Sequence, residues 1–147
     1  MNSISEGYFS SVNVAKHLKM KDLPFDSPTQ FKLVAYYPES SQFWCRKALF
    51  IKEIHHQRVL PLIYHTERLN YTIDVTAFEN QVKKDLSEGL IPFWFGASIG
   101  ATAIGCNDPI DQIGKICKQY GLFLTVDAAY KGTSWVCPEY REETEGL

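Results

Sequence analysis

A chain of 147 residues, 45% hydrophobic and 14% aromatic with a formal charge of −2, holds enough apolar material for one packed domain. Its lysines and arginines are scattered and form no stripe, so the electrostatic footprint of a nucleic-acid binder is excluded, and no apolar run reaches membrane-spanning length. Cys45, Cys106, Cys117 and Cys137 have no metal-ligand spacing and are too few for a disulfide framework; reduced thiols in a cytoplasmic protein without a leader peptide are expected.

Taken in chain order, helical and strand signals alternate. Ser3-Ile4-Ser5-Glu6 is a capping box, serine followed three residues later by glutamate, and it opens a helix expected to reach about Met20. Residues 21–30, with Pro24, Asp26, Ser27 and Pro28, have loop composition, after which 31–36 read as a strand that Pro38 ends. A helix is expected over 41–53, a short strand over 59–63, and a helix over 74–86 carrying Val75, Phe78 and Val82 at helical spacing and closed by Gly89. Residues 91–99 form the next predicted strand. Asp108-Pro109 is read as the cap and start of a helix bearing Ile110, Ile113, Ile116 and Cys117, which Gly121 terminates.

The run Leu122-Phe123-Leu124-Thr125-Val126 then delivers Asp127, followed by Ala128, Ala129 and Tyr130. So short an apolar run predicts a strand covered on both faces, the kind found in parallel sheets. Ligands of such sheets bind beyond the carboxyl ends of the strands, where Asp127 stands, and the two alanines leave room for something flat. Alternation of this kind implies an α/β fold with a mainly parallel sheet flanked by helices. Taken alone, Asp127 serves equally as a ligand-facing acid or as the cap of the loop after its strand.

Three segments carry a family resemblance: Gly89-Leu90-Ile91-Pro92-Phe93 through Gly100-Ala101-Thr102, then Val126-Asp127-Ala128-Ala129-Tyr130, then Cys137-Pro138-Glu139-Tyr140-Arg141. In these the chain resembles the pyridoxal-phosphate-dependent (group II) amino-acid decarboxylases, above all those acting on aromatic amino acids. Leu33-Val34-Ala35-Tyr36 and the amino-terminal helix extend the likeness over nearly the whole chain. The resemblance implies that residues 1–147 are part of the large, cofactor-binding domain of the aminotransferase-like fold (fold type I), and that the cofactor is pyridoxal 5′-phosphate.

Residue by residue, the resemblance makes Asp127 the carboxylate beside the cofactor's ring nitrogen and lays Ala129 against one face of the ring. It places Thr102 near the ring, with Ala101 where the family usually has Thr or Ser. Ser5 and the backbone of Ile4 match phosphate contacts at a helix amino terminus, where free N–H groups favour an anion. Each has a plainer reading: the glycines of residues 96–102 suit a turn, and the capping box explains Ser3 without a phosphate.

The departures are equally specific. Gln42 falls where the family carries a ring-stacking histidine, and a carboxamide neither stacks as a ring nor holds a proton near neutral pH. The family's Schiff-base lysine lies in a His-Lys-Trp segment expected beyond Leu147, and Met1-Asn2 stands where a glycine-rich lead-in is expected. Lys131 is read as a loop lysine and not as a substitute, Arg46 and Lys47 as surface charge, and His55-His56 as a solvated helix end. Two functions follow: decarboxylation of an aromatic L-amino acid, with the lysine supplied by sequence absent here, or a catalytically inactive truncated paralogue that binds a partner. A homodimer or association with a related chain is expected, with Pro92-Phe93-Trp94-Phe95 as an apolar face inviting it.

Overall fold

The computed structural model describes residues 3–24, 26–67 and 69–144. Among them the main elements run α1 (Ile4–Met20), β1 (Leu33–Pro38), α2 (Phe43–Ile51), β2 (His56–Leu60), β3 (Leu62–His65), β4 (Asn70–Ile73), α3 (Val75–Ser87), β5 (Ile91–Ser98), α4 (Ile110–Tyr120) and β6 (Phe123–Asp127). Four strands form a parallel sheet in the order β2-β1-β5-β6, and β3 and β4 form a separate antiparallel pair.

Helices cover both faces of the parallel sheet, as the expected α/β architecture requires. Against one face, α1 and α2 pack Tyr8, Val12, Cys45 and Leu49 onto Ala35, Phe93 and Trp94. Against the other, α3 and α4 pack Phe78, Val82 and Ile113 onto Tyr36, Phe95 and Ala97. Two-faced burial explains why β1 and β5 read as unbroken apolar runs.

Local chemistry sets the element ends. Ser3 Oγ accepts the Glu6 N–H at 3.3 Å and starts α1, and Asp74 Oδ1 accepts the Ala77 N–H at 3.0 Å and starts α3. The predicted strand over 59–63 divides: Pro61, which has no N–H to give a ladder, separates β2 from β3, and the two halves join different sheets. The strand expected over 31–36 starts two residues later, because Pro28–Lys32 forms a 3₁₀ turn capped by Ser27.

A bulge organises β5. Val34 pairs with Pro92 and Ala35 with Trp94, so Phe93 is the extra residue, and Phe93 and Trp94 both turn to the α1 side. Trp94 lies flat over Gly96, where a Cβ would stand 2.3 Å from the indole, and its Nε1 donates to Thr125 Oγ1 on β6 at 2.9 Å. Only glycine admits that approach.

Phe93, Trp94 and Phe95 are fully buried, so the apolar face expected at Pro92-Phe93-Trp94-Phe95 is interior. Exposed aromatics and aliphatics are instead spread over the surface, among them Phe31, Phe43, Phe50, Leu69, Tyr130 and Val136. β6 also departs from expectation. It pairs only with β5 and is half-buried throughout, an edge strand and not one covered on both faces. On the far side of the sheet Arg58 of β2 forks onto Asp85 of α3, with Nη2 2.6 Å from Oδ1, and the Tyr36 hydroxyl donates to Oδ2 at 2.8 Å. Burial raises the Asp85 carboxyl, but the hydrogen bonds from Arg58 and Tyr36 and the Arg58 charge outweigh it and hold the group below its ordinary range.

Candidate functional site

Parallel strands end together at one rim. Register places Ser98, last in β5, beside Asp127, last in β6, and the loop after β1 brings Gln42 alongside. The resulting cavity of about 110 Å³ lies beyond the strands' carboxyl ends, where parallel sheets bind ligands. Its wall takes Ile4 from the start of α1, Gln42, Ser98, Gly100 and Thr102 from one side, and Asp127, Ala129 and Tyr130 from the other.

Asp127 is fixed at both carboxylate oxygens. Oδ1 accepts the Ala129 N–H at 3.0 Å, and Oδ2 accepts the Tyr8 hydroxyl of α1 at 2.9 Å. Its backbone carbonyl accepts the Ile99 N–H at 2.8 Å, tying the strand end to the neighbouring loop. Burial, then the neighbouring Cys45 and Asp127, push the Tyr8 hydroxyl far above its ordinary range, so it remains a donor at any accessible pH. Burial, with Asp127 nearby, likewise keeps the Cys45 thiol protonated.

The loop after β5 is built around a second acid. Asp108 Oδ2 accepts the Ser98 N–H at 2.7 Å while the Asp108 N–H donates to the Ser98 carbonyl at 2.9 Å. Asp108 therefore does not cap α4 as the sequence suggested: that helix starts at Ile110 with Pro109 at its N-cap and no side-chain cap bond, and the carboxylate turns back to the loop. Burial pushes its pKa up to about 7 against the opposing Ser98 bond, and Oδ1 has no hydrogen-bond partner. The Gly100 N–H donates to the Cys106 carbonyl and Asn107 Oδ1, and the Ala101 N–H to the Cys106 carbonyl, so residues 98–108 form a closed turn. Gly100 has φ +72°, and a Cβ on it would stand 2.5 Å from Lys131 Cβ, so glycine is required on both counts.

Of the residues singled out from sequence, Ile4, Thr102, Asp127, Ala129 and Gln42 meet in this cavity. Ser5 does not line it and faces a groove between α1 and α2, beside Phe9, Trp44 and Lys47. Gln42 also serves its own segment, since its Oε1 accepts the Trp44 N–H at 2.7 Å and caps α2. Lys131 lays its stem over Gly100, Lys47 lies over the Trp44 ring at 4.3 Å, and His56 opens β2 instead of ending a helix. Met1-Asn2 lies outside the described residues. Sequence reasoning missed Tyr8, which is 119 residues from its partner, and Asp108, whose acceptor role has no local pattern.

Among the described residues no cluster of histidine, cysteine, aspartate or glutamate could hold a metal ion, and no helix is long and apolar enough to cross a membrane. What the rim offers is a carboxylate on one side and, on the other, the first turn of a 17-residue helix, whose Ile4 and Ser5 N–H groups have no acceptor within the helix.

Comparison with known proteins gives a consistent picture. Residues 10–147 match the model described as the pyridoxal-dependent decarboxylase conserved domain. Tyrosine decarboxylase 2 of Arabidopsis thaliana is 36% identical over 116 residues, covering 79% of this chain and 21% of that protein. Phenylacetaldehyde synthase of the same plant is 35% identical over 116 residues, 79% of this chain and 24% of that one. The crystal structure of Catharanthus roseus tryptophan decarboxylase in complex with L-tryptophan superposes with a TM-score of 0.90 at 26% identity, covering 99% of this chain and 31% of that one. The chain thus spans between about a fifth and a third of the length of these relatives.

Proposed function

From the membership of this chain in the pyridoxal-dependent decarboxylase family, we propose that its rim cavity is the part of a pyridoxal 5′-phosphate site that receives the ring nitrogen and the phosphate, in an enzyme that decarboxylates aromatic L-amino acids. The observation that carries this reading is Asp127, fixed at both oxygens and opposite the amino terminus of α1. The cofactor presents a cationic ring nitrogen at one end and a phosphate at the other, and the donor set fits both: a carboxylate for the cation, helical N–H groups for the anion.

When bound, the cofactor supplies an electron sink for the pair left behind as carbon dioxide departs. The chain's own residues do the positioning. Asp127 holds the proton on the ring nitrogen, Ala129 leaves the ring face open, and the turn of residues 98–108 sets Thr102 at the rim. The Ile4 N–H in the first turn of α1 would receive the phosphate, and Ser5 would join it only by turning from the adjoining groove that it faces. The lysine that binds the cofactor covalently would come from sequence outside these 147 residues. Relatives named for tyrosine, tryptophan and phenylacetaldehyde support an aromatic substrate class.

One observation favours a second reading, a catalytically inactive paralogue that assembles with a copy of itself or with a related chain. Gln42 puts a carboxamide in the cavity and commits its oxygen to the cap of α2, so that position carries neither an acid nor a base. An absorbance titration with pyridoxal 5′-phosphate, then borohydride reduction and peptide mapping, tests the first reading. Saturable binding that Asp127→Ala weakens about tenfold is expected. Absence of saturable binding refutes it. Absence of carbon dioxide release from aromatic amino acids when sequence supplying the lysine is joined to the chain, together with co-elution with a related decarboxylase, would establish the second.

A further inference from the structure

Asp127 ends an edge strand and is only half-buried, so the sheet alone leaves its side chain room to turn. What arrests it comes from another element. Tyr8 is 1% exposed, projects from the buried face of α1 and donates to Oδ2 at 2.9 Å. The Tyr8 ring is itself held edge-on by Trp94, with centroids 6.3 Å apart and planes at 63°, and Trp94 is pinned through Nε1 to Thr125, two residues before Asp127 on the same strand. Tyr8 thus ties α1 to β5 through the Trp94 ring and to β6 through Asp127.

We infer that Tyr8 is a positioning residue for Asp127, its hydroxyl holding the carboxylate in the rotamer that meets a protonated ring nitrogen. The inference rests on the reading of the cavity as a cofactor site. A carboxylate has about four lone-pair positions, and Ala129 and Tyr8 occupy one on each oxygen. The rest are free for a cationic N–H, already aimed. Because burial keeps the hydroxyl protonated, the donor persists across the working pH range. A tyrosine present only to fill the core would need no charged acceptor; here the acceptor is the one charged group among the described residues lining the rim cavity.

The test uses two probes that bind without a covalent link, pyridoxamine 5′-phosphate and its analogue with the ring nitrogen replaced by C–H, titrated calorimetrically into the full chain and into Tyr8→Phe. The phenylalanine keeps the packing against Trp94 and removes only the hydroxyl. Expected is a five- to tenfold weakening for pyridoxamine 5′-phosphate, on the order of one charge-assisted hydrogen bond, with the carbon analogue unchanged. Equal weakening of both probes would mean that Tyr8 only supports the structure, and no change for either would mean that it does nothing to the carboxylate; both overturn the inference. If the unmodified chain binds neither probe, the cofactor reading itself fails, a result distinct from normal binding that is insensitive to Tyr8. Should Tyr8→Phe not fold, Tyr8→Met, whose flexible side chain fills the same buried space without a hydroxyl, gives the same comparison, and unchanged discrimination between the probes would overturn the role.

Discussion

Replacing Asp108 by asparagine should make the chain more stable at pH 8 while doing little or slight harm at pH 5. The carboxyl is buried, its Oδ1 has no partner, and burial pushes its pKa from 3.8 up to about 7. The folded state therefore holds a proton that the unfolded state releases, and stability falls as pH rises from about 4 to 7, then levels off. At roughly 1.4 kcal/mol for each pH unit, that displacement amounts to about 4 kcal/mol, of which about 2.5 lies between pH 5 and pH 8. Asparagine keeps an oxygen for the Ser98 N–H and cannot ionise, but it sets an N–H₂ where Oδ1 finds no partner, an offsetting cost of about 1–3 kcal/mol. That cost is the same at every pH. Urea denaturation of both chains at pH 5, 6, 7 and 8 isolates the titration: the stability difference should move in favour of the variant by about 2.5 kcal/mol across the range. A difference that stays constant with pH would refute the account of a carboxyl neutralised by burial.

Gln42→His should tighten pyridoxal 5′-phosphate binding about threefold by setting a ring against the cofactor, while costing about 1 kcal/mol of stability through loss of the α2 cap; absorbance titration and urea melts read the two effects separately. Gly96→Ala, which forces a Cβ to within 2.3 Å of Trp94, should destabilise the chain by about 1–3 kcal/mol in chemical denaturation, since a buried indole clasped by Thr125 has nowhere to shift. Arg58→Ala leaves Asp85 buried and uncompensated and should cost about 3 kcal/mol at pH 7, less in acid where Asp85 takes up a proton; a loss independent of pH would show that Arg58 acts by packing.

Features written in consecutive residues were legible from sequence. The capping box at Ser3, the spacing of Val75, Phe78 and Val82, and the apolar run into Asp127 each reflect one local rule, and the structure contains the corresponding helices and strand. Interactions between distant residues were not legible. Tyr8 reads as one more apolar position on an amphipathic helix until β6 arrives beneath it, and Asp108 before a proline looks like a cap until β5 offers Ser98 as an alternative donor. Pro61 was overlooked inside an apolar run, although its missing N–H is itself a local signal. Aromatics at residues 92–95 suggested an exposed patch because the bulge that turns Phe93 and Trp94 inward depends on the register with β1.

The clasp of Trp94 between Tyr8 and Thr125 also equips this chain with a built-in optical reporter. Its indole touches the tyrosine that holds Asp127 and is bonded to the strand that carries it, so displacement of the carboxylate reaches the fluorophore through two contacts. Pyridoxal compounds absorb in the near ultraviolet, where indole emits. Occupancy of the rim should therefore quench Trp94 by energy transfer, and Trp44→Phe combined with Trp135→Phe leaves it the sole tryptophan. Light emission from one buried side chain would then follow ligand arrival in real time, without a label and without turnover.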